Sequence, residues 1–304
     1  MNNPSKSITE APLVDTHAHV YTTGMPLSAT AWHKPPEDAT IEQYVATLDQ
    51  HGARYGVLAA ASLYDDYNEY SIAATRKHAR LRTTAIVRPD IDPYILRMMK
   101  ADGVVGVRLQ WRNVKSPPDI TTPEYRKFLR RVADLDWHVH LNQSGELLAA
   151  PIAALESAGV KIVIDHFGHP QRGKGVACTG FQATLRSVER GRTWVKLSAG
   201  YRMESPEVAQ TCARELVKHC GAERLLWGSD WPFACRKPMP RRPSARRKHA
   251  RSSRPRAPIS APIASGLPAA RFWPSRKAAR ARPAARSRPR SRTASRLRLR
   301  LPTS

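Results

Sequence analysis

Leu13-Val-Asp-Thr-His-Ala-His-Val20 is the stretch that decides the fold. It is a short apolar run carrying two histidines two positions apart. Side chains two apart on a strand leave the same face, so His17 and His19 project together. Seven further runs of the same character follow: Tyr55–Ala60, Thr83–Val87, Val104–Leu109, His138–Leu141, Lys161–Asp165, Thr193–Leu197 and Leu225–Gly228. Rich in Val, Ile and Leu, they read as strands buried on both faces. Helical spacing lies between them. Ile41–His51 carries Ile41, Tyr44, Val45 and Leu48 as one apolar stripe, and Tyr125–Asp134 repeats it with Phe128, Leu129 and Val132. Leu147–Ser157 and Pro206–His219 are two more helices, followed by Gly159 and Gly221 as stops. Alternating strands and helices imply parallel strands joined by crossovers. Eight strands predict an α/β fold closed as a (β/α)8 TIM barrel. No GxGxxG follows the first strand, which disfavours an open dinucleotide-binding sheet.

Charge divides the 304 residues in two. All 25 acidic residues lie at or before Asp230, whereas Arg236–Ser304 holds 22 Lys and Arg, eleven Pro and no acid. Residues 12–235 therefore read as a nearly neutral enzyme domain preceded by a flexible stretch, 1–11. The segment 236–304 reads as disordered, because it lacks apolar periodicity to offset chain entropy. Its abrupt Arg/Pro/Ala composition suggests an out-of-frame translation that replaces the last barrel helix. The rival is an authentic basic tail that binds nucleic acid. No apolar h-region and no 18-residue apolar run occur, so neither a secretory signal nor a membrane partner is expected. Cys178, Cys212, Cys220 and Cys235 show no CxxC spacing and read as free thiols, which points to the cytoplasm.

Chemistry-bearing residues sit at strand ends, where a barrel keeps its active site. His17 and His19 close the first strand, and Trp227-Gly-Ser-Asp230-Trp-Pro232 closes the eighth, its neighbour in a closed barrel. Each could be structural: buried histidines satisfied by hydrogen bonds, or a helix-capping Asp. Their meeting at the first and last strands favours function. His166, in Ile164-Asp-His-Phe-Gly168, ends the sixth strand. His138, His140 and Asn142 line the fifth, with the site-facing histidine undecided. Arg108 and Arg202 lie at the ends of the fourth and seventh strands. Either they bind a substrate carboxylate or they pair with an acid such as Asp15 or Asp165.

Leu13-Val-Asp-Thr-His-Ala-His19, Asp165-His-Phe-Gly168 and Leu226-Trp-Gly-Ser-Asp-Trp-Pro232 together resemble the amidohydrolase superfamily, over residues 12–234. The similarity is greatest to its branch of 2-pyrone-4,6-dicarboxylate and sugar lactonases, often called predicted metal-dependent hydrolases. The resemblance implies a lactonase-like hydrolase with Asp230 as the base that activates water. His17, His19 and His166 would polarise the carbonyl. It places Arg108, Arg202, His140, Asn142 and His169 around a small-molecule substrate, and it implies barrels that pair as homo-oligomers. The branch carries Arg where this chain has His169. One charge-fixing contact is therefore missing, and a monocarboxylated or sugar-derived lactone is expected rather than the dicarboxylate. Binuclear relatives need a bridging Lys or Glu on the fourth strand, where this chain has Arg108 and Gln110. No metal is expected to be required. The alternative is a mononuclear amidohydrolase or decarboxylase with one Zn or Mn on His17, His19 and Asp230.

Overall fold

The computed structural model describes residues 13–233. Eight parallel strands follow one another in chain order around a barrel: β1 (Val14–Ala18), β2 (Tyr55–Leu58), β3 (Leu81–Ala85), β4 (Val104–Gln110), β5 (His138–Asn142), β6 (Lys161–Ile164), β7 (Thr193–Leu197) and β8 (Leu225–Trp227). Seven helices lie among them: α1 (Ile41–Gln50), α2 (Glu69–Lys77), α3 (Pro93–Ala101), α4 (Pro123–Asp134), α5 (Ala149–Ser157), α6 (Thr179–Glu189) and α7 (Pro206–Cys220). All eight expected strands are present. The third begins two residues earlier than its apolar run suggests, at Leu81, where β2 pairs through Gly56.

Helix starts follow local chemistry. Thr40 and Gln43 form a reciprocal capping box on α1. Asp92, Thr122 and Ser205 cap α3, α4 and α7, each followed by a proline that gives up an N–H the first turn does not use. Leu147–Ser157 does not form one helix. A 3-10 turn, Gly145–Leu147, precedes α5, which starts at Ala149. Pro151 sits within its first turn, the only helical position that tolerates it. The spacing expectation omits three helices. α2 is weakly amphipathic, and α6 carries a stripe of Phe181, Leu185 and Val188 with Thr184 and Ser187 buried among them. α3 fully buries only Leu96.

The main core lies between strands and helices, from Leu96 and Val107 to Phe128, Leu155, Phe181 and Leu216. The barrel closes between β1 and the segment after β8. Thr16 Oγ1 donates to Trp227 O at 2.7 Å, Asp230 N to His17 O at 2.8 Å, and His19 N to Trp231 O at 2.8 Å. Gly228 permits that closure, because a Cβ there would lie 2.6 Å from His17 Cβ. The expected flexible start and basic segment 236–304 lie outside the described residues. None of the described helices is long and apolar enough to cross a membrane.

Candidate active site

The site is built at the C-terminal ends of the strands. Asp15 braces it. Its carboxylate accepts from Ser229 N (2.9 Å), Ser229 Oγ (2.6 Å), Tyr44 OH (3.1 Å) and His17 N (3.1 Å). Burial pushes its carboxyl up, opposed by these donors. The bracing fixes the turn after β8 and so presents Asp230. Asp230, His166, His169 and Ala199 all have left-handed backbone (φ 60°, 50°, 43° and 52°). Strain of about 1–3 kcal/mol per such residue concentrates where a scaffold fixes functional side chains.

Four residues singled out by motif meet in one buried cluster. Asp230 Oδ1 faces His17 Nε2 at 3.6 Å, His19 Nε2 at 3.7 Å and His166 Nε2 at 3.8 Å. It is buried and has no hydrogen-bond partner among the described residues. The other oxygen, Oδ2, is fully engaged by Arg202 (Nη2 2.8 Å, Nε 3.1 Å) and Tyr201 OH (2.5 Å). Burial lowers Arg202, but Asp230 outweighs it and raises the guanidinium further. Burial and the Asp230 charge push the Tyr201 phenol up, so it stays a donor. His17 Nε2 lies 3.2 Å from His19 Nε2. His19 Nδ1 meets the Ala59 carbonyl at 2.8 Å, and His166 Nδ1 meets Ser198 Oγ at 2.7 Å.

Beneath this cluster lies a second carboxylate, Asp165. Its Oδ2 takes Arg108 (Nη2 3.0 Å, Nε 3.3 Å), whose Nη1 also reaches Ala60 O at 2.7 Å. Its Oδ1 faces His17 Nδ1 (3.3 Å), Lys196 Nζ (3.6 Å) and His140 Nε2 (3.8 Å). Burial alone would raise the Asp165 carboxyl, but His140, His17, Lys196 and Arg108 hold it well below the usual range. Burial, with Lys196 nearby, pushes His17 down to about 4. Burial likewise holds His19, His140 and His166 well below the ordinary imidazole value. The cluster is neutral imidazole at neutral pH. Burial also lowers Lys196 to about 8, with Asp165 opposing.

Arg108 and Arg202 are thus both paired with acids, the second of the two readings open for them. His140 is the fifth-strand histidine that approaches the site, stacked on His17 at 5.9 Å between ring centroids. Asn142 and His169 are buried beside His166: His169 Nε2 meets Asn142 Oδ1 at 3.0 Å, and the His169 ring centroid lies 5.0 Å from that of His166. The opposite ring nitrogen of His169 takes the guanidinium of Arg112. The Asn142 carbonyl holds the Arg112 loop through Trp111 N (2.8 Å) and Arg112 N (3.1 Å). Burial and the nearby Arg202 charge lower Arg112, while Glu146 opposes.

Motif reading passes over Lys196, Tyr201 and Arg112. Lys196 leaves a signal, a charge inside the apolar strand Thr-Trp-Val-Lys-Leu, 193–197, which is costly unless paired. Nothing in the sequence ties Arg112 to His169, since the contact joins two loops.

The Amidohydrolase family profile matches residues 14–257. A 4-sulfomuconolactone hydrolase of Hydrogenophaga intermedia is 28% identical over 239 residues, 76% of this chain and 78% of that protein. A 2-pyrone-4,6-dicarboxylate hydrolase of Comamonas testosteroni is 29% identical over 247 residues, 76% and 80% of the two chains. Among solved structures, a probable 2-pyrone-4,6-dicarboxylic acid hydrolase of Acinetobacter baumannii with citric acid bound superposes with a TM-score of 0.70. It is 31% identical and covers 74% of this chain and 85% of its own. With its strand-end histidines and aspartate on a parallel eight-stranded barrel, this chain belongs to the amidohydrolase family and is a hydrolase.

Proposed function

We propose that the protein hydrolyses a small lactone bearing an anionic group. One observation carries this reading: Asp230 Oδ1, buried and without a hydrogen bond, faces three imidazole nitrogens at 3.6–3.8 Å. A water resting over this group, off the lines that join Oδ1 to the nitrogens, meets Oδ1 and an imidazole nitrogen at once. Arg202 and Tyr201 hold Oδ2, so Oδ1 keeps its lone pairs for a proton. Asp230 takes a proton as water attacks the lactone carbonyl carbon. Imidazole N–H groups stabilise the oxyanion. When the tetrahedral intermediate collapses, the ring C–O bond breaks and Asp230 returns the proton to the leaving oxygen. The product is the ring-opened acid. The names of the similar hydrolases support a lactone of this class.

The anionic group is assigned to Arg112. That guanidinium makes no ion pair within 4.0 Å among the described residues, and the Arg202 charge is near enough to act on it. It supplies the positive charge that His169 does not, with His169 and Asn142 fixing its position. Arg108 then acts from below, by holding Asp165.

The donor set also fits a single metal ion. His17, His19 and Asp230 offer three ligand atoms within 4.8 Å of one another, and the Asp230 oxygen lacks a partner. A zinc or manganese ion bound there would supply Lewis-acid polarisation. We place the reaction on the side chains without requiring one. Arg108, Lys196 and Arg202 already lie within 3.6 Å of the two carboxylates Asp165 and Asp230, so a divalent cation would enter against a positive lining. The test is hydrolysis of carboxylated, sulfonated and neutral lactones by wild-type and Asp230→Asn protein. Turnover of an anionic lactone, lost in the variant, supports the reading. Absence of turnover across the panel overturns it.

A further inference from the structure

We propose that Lys196 is a positioning residue that fixes His17 as the tautomer bearing its proton on Nε2, making it a hydrogen-bond donor to the reacting centre. The inference deepens the lactonase reading and rests on it only for the identity of the acceptor. Two independent chains of contacts lead to the same proton.

The first starts from the backbone. The Ala59 carbonyl can only accept, so His19, 2.8 Å away, carries its proton on Nδ1. Neutral His19 therefore presents a bare lone pair at Nε2. His17 Nε2 lies 3.2 Å from it. Two bare lone pairs at that distance repel, whereas a proton on His17 Nε2 makes a hydrogen bond.

The second starts from Lys196. Its ammonium is buried, 1% exposed, in the interior of β7. Its one acceptor within 3.5 Å among the described residues is His17 Nδ1, at 3.1 Å; Asp165 Oδ1 lies at 3.6 Å. An ammonium has three donors and no acceptor. A proton on His17 Nδ1 would face it directly and leave the buried cation only its longer contact with Asp165 at 3.6 Å, a costly arrangement. With Nδ1 bare, Lys196 donates to it. Asp165 Oδ1 is the competing acceptor, 3.3 Å from His17 Nδ1 and without a hydrogen bond among the described residues; Arg108 already holds Oδ2, and the Lys196 charge at 3.6 Å stabilises Oδ1 without the His17 proton.

The result is a directed chain: Lys196 to His17 Nδ1, His17 Nε2–H toward His19 and the Asp230 side, and His19 Nδ1–H to Ala59. A lactone oxygen entering beside Asp230 meets an N–H at His17. A metal ion would meet the same proton and would have to displace it. Lys196 thus biases the site toward hydrogen-bond catalysis.

Long-range proton–nitrogen correlation spectra of the nitrogen-labelled full chain, without lactone or metal, read the tautomer directly. Signals of His17 are assigned by their loss in His17→Gln. The expected spectrum has His17 protonated on Nε2 only. In Lys196→Met, Asp165 competes with His19 for the proton, so a population protonated on Nδ1 and absent from wild type appears, and zinc affinity measured by calorimetry increases. A wild-type His17 protonated on Nδ1 overturns the proposal, and the wild-type spectrum decides this even if the variant does not fold. A folded Lys196→Met protein with an unchanged tautomer also overturns it. Because no substrate is present, the outcome is independent of the lactone assay: a protein that hydrolyses no lactone yet shows the expected tautomers refutes the proposed function alone.

Discussion

Replacing Asp230 with Asn tests the assignment of the base at nearly constant volume. The amide retains one oxygen for Arg202 and Tyr201, but it cannot take a proton from water. A positioned general base contributes about 10²–10⁴ in rate. The Asp230 oxygen that faces His17, His19 and His166 has no competing partner, so the loss should fall in kcat, by about 10³, with KM changed little. Stability should fall as well. Arg202 is bound to Asp230 at 2.8 Å and its side chain is only 25% exposed, so its charge loses its partner in a largely dry setting. Removing one member of a fully buried pair costs about 3–5 kcal/mol. Partial exposure of Arg202 and the retained amide oxygen reduce this to about 2 kcal/mol, which lowers Tm by about 4–8 °C in a domain of this size. Steady-state lactone kinetics and calorimetric melting measure both quantities. A variant that melts lower yet keeps kcat within tenfold of wild type would refute the base assignment. It would leave Asp230 as a structural partner of Arg202.

Arg112→Met should weaken kcat/KM for an anionic lactone by about 10–100-fold, the worth of a charged hydrogen bond, and leave a neutral lactone unaffected; equal losses on both would remove Arg112 from substrate binding. Acid should destabilise the barrel through its buried imidazoles. His17 is lowered from 6.5 to about 4, so the unfolded chain binds its proton first as pH falls. The contribution is complete above about 6.5 and is lost between 6.5 and 4, about 3 kcal/mol for this group. Denaturant titrations with a flat stability across that window would contradict the neutral-imidazole cluster. Any binding of duplex DNA should reside in residues 236–304, which hold 22 basic and no acidic residues, and should fall steeply with salt. A chain ending at Cys235 that binds DNA equally well would move that activity to the barrel.

The barrel is legible in the sequence because strands buried on both faces leave unmistakable apolar runs. α1, α4 and α7 are legible from their apolar stripes, and α5 from an apolar run ended by Gly159. α6 has a comparable stripe in Phe181, Leu185 and Val188, which is blurred by Thr184 and Ser187 buried on the same helix. His17, His19 and Asp230 can be foreseen to converge, since closure sets the last strand beside the first. The assignments of Arg108 and Arg202 are not decided by sequence: strand-end position allows either a substrate or a carboxylate partner, and only the 3.0 Å and 2.8 Å contacts with Asp165 and Asp230 choose. Lys196 could have been found by asking what pays for a charge within an apolar strand. Arg112 could not, because its approach to His169 depends on how the loops after β4 and β6 fold over one another.

Hydrolysis of a carboxylated lactone by chelator-treated protein of measured metal content tests the central claim most directly. Turnover is expected at undiminished kcat/KM with zinc and manganese far below one equivalent. Activity that disappears with the metal and returns in proportion to one added equivalent would contradict it, and would make His17, His19 and Asp230 ligands instead.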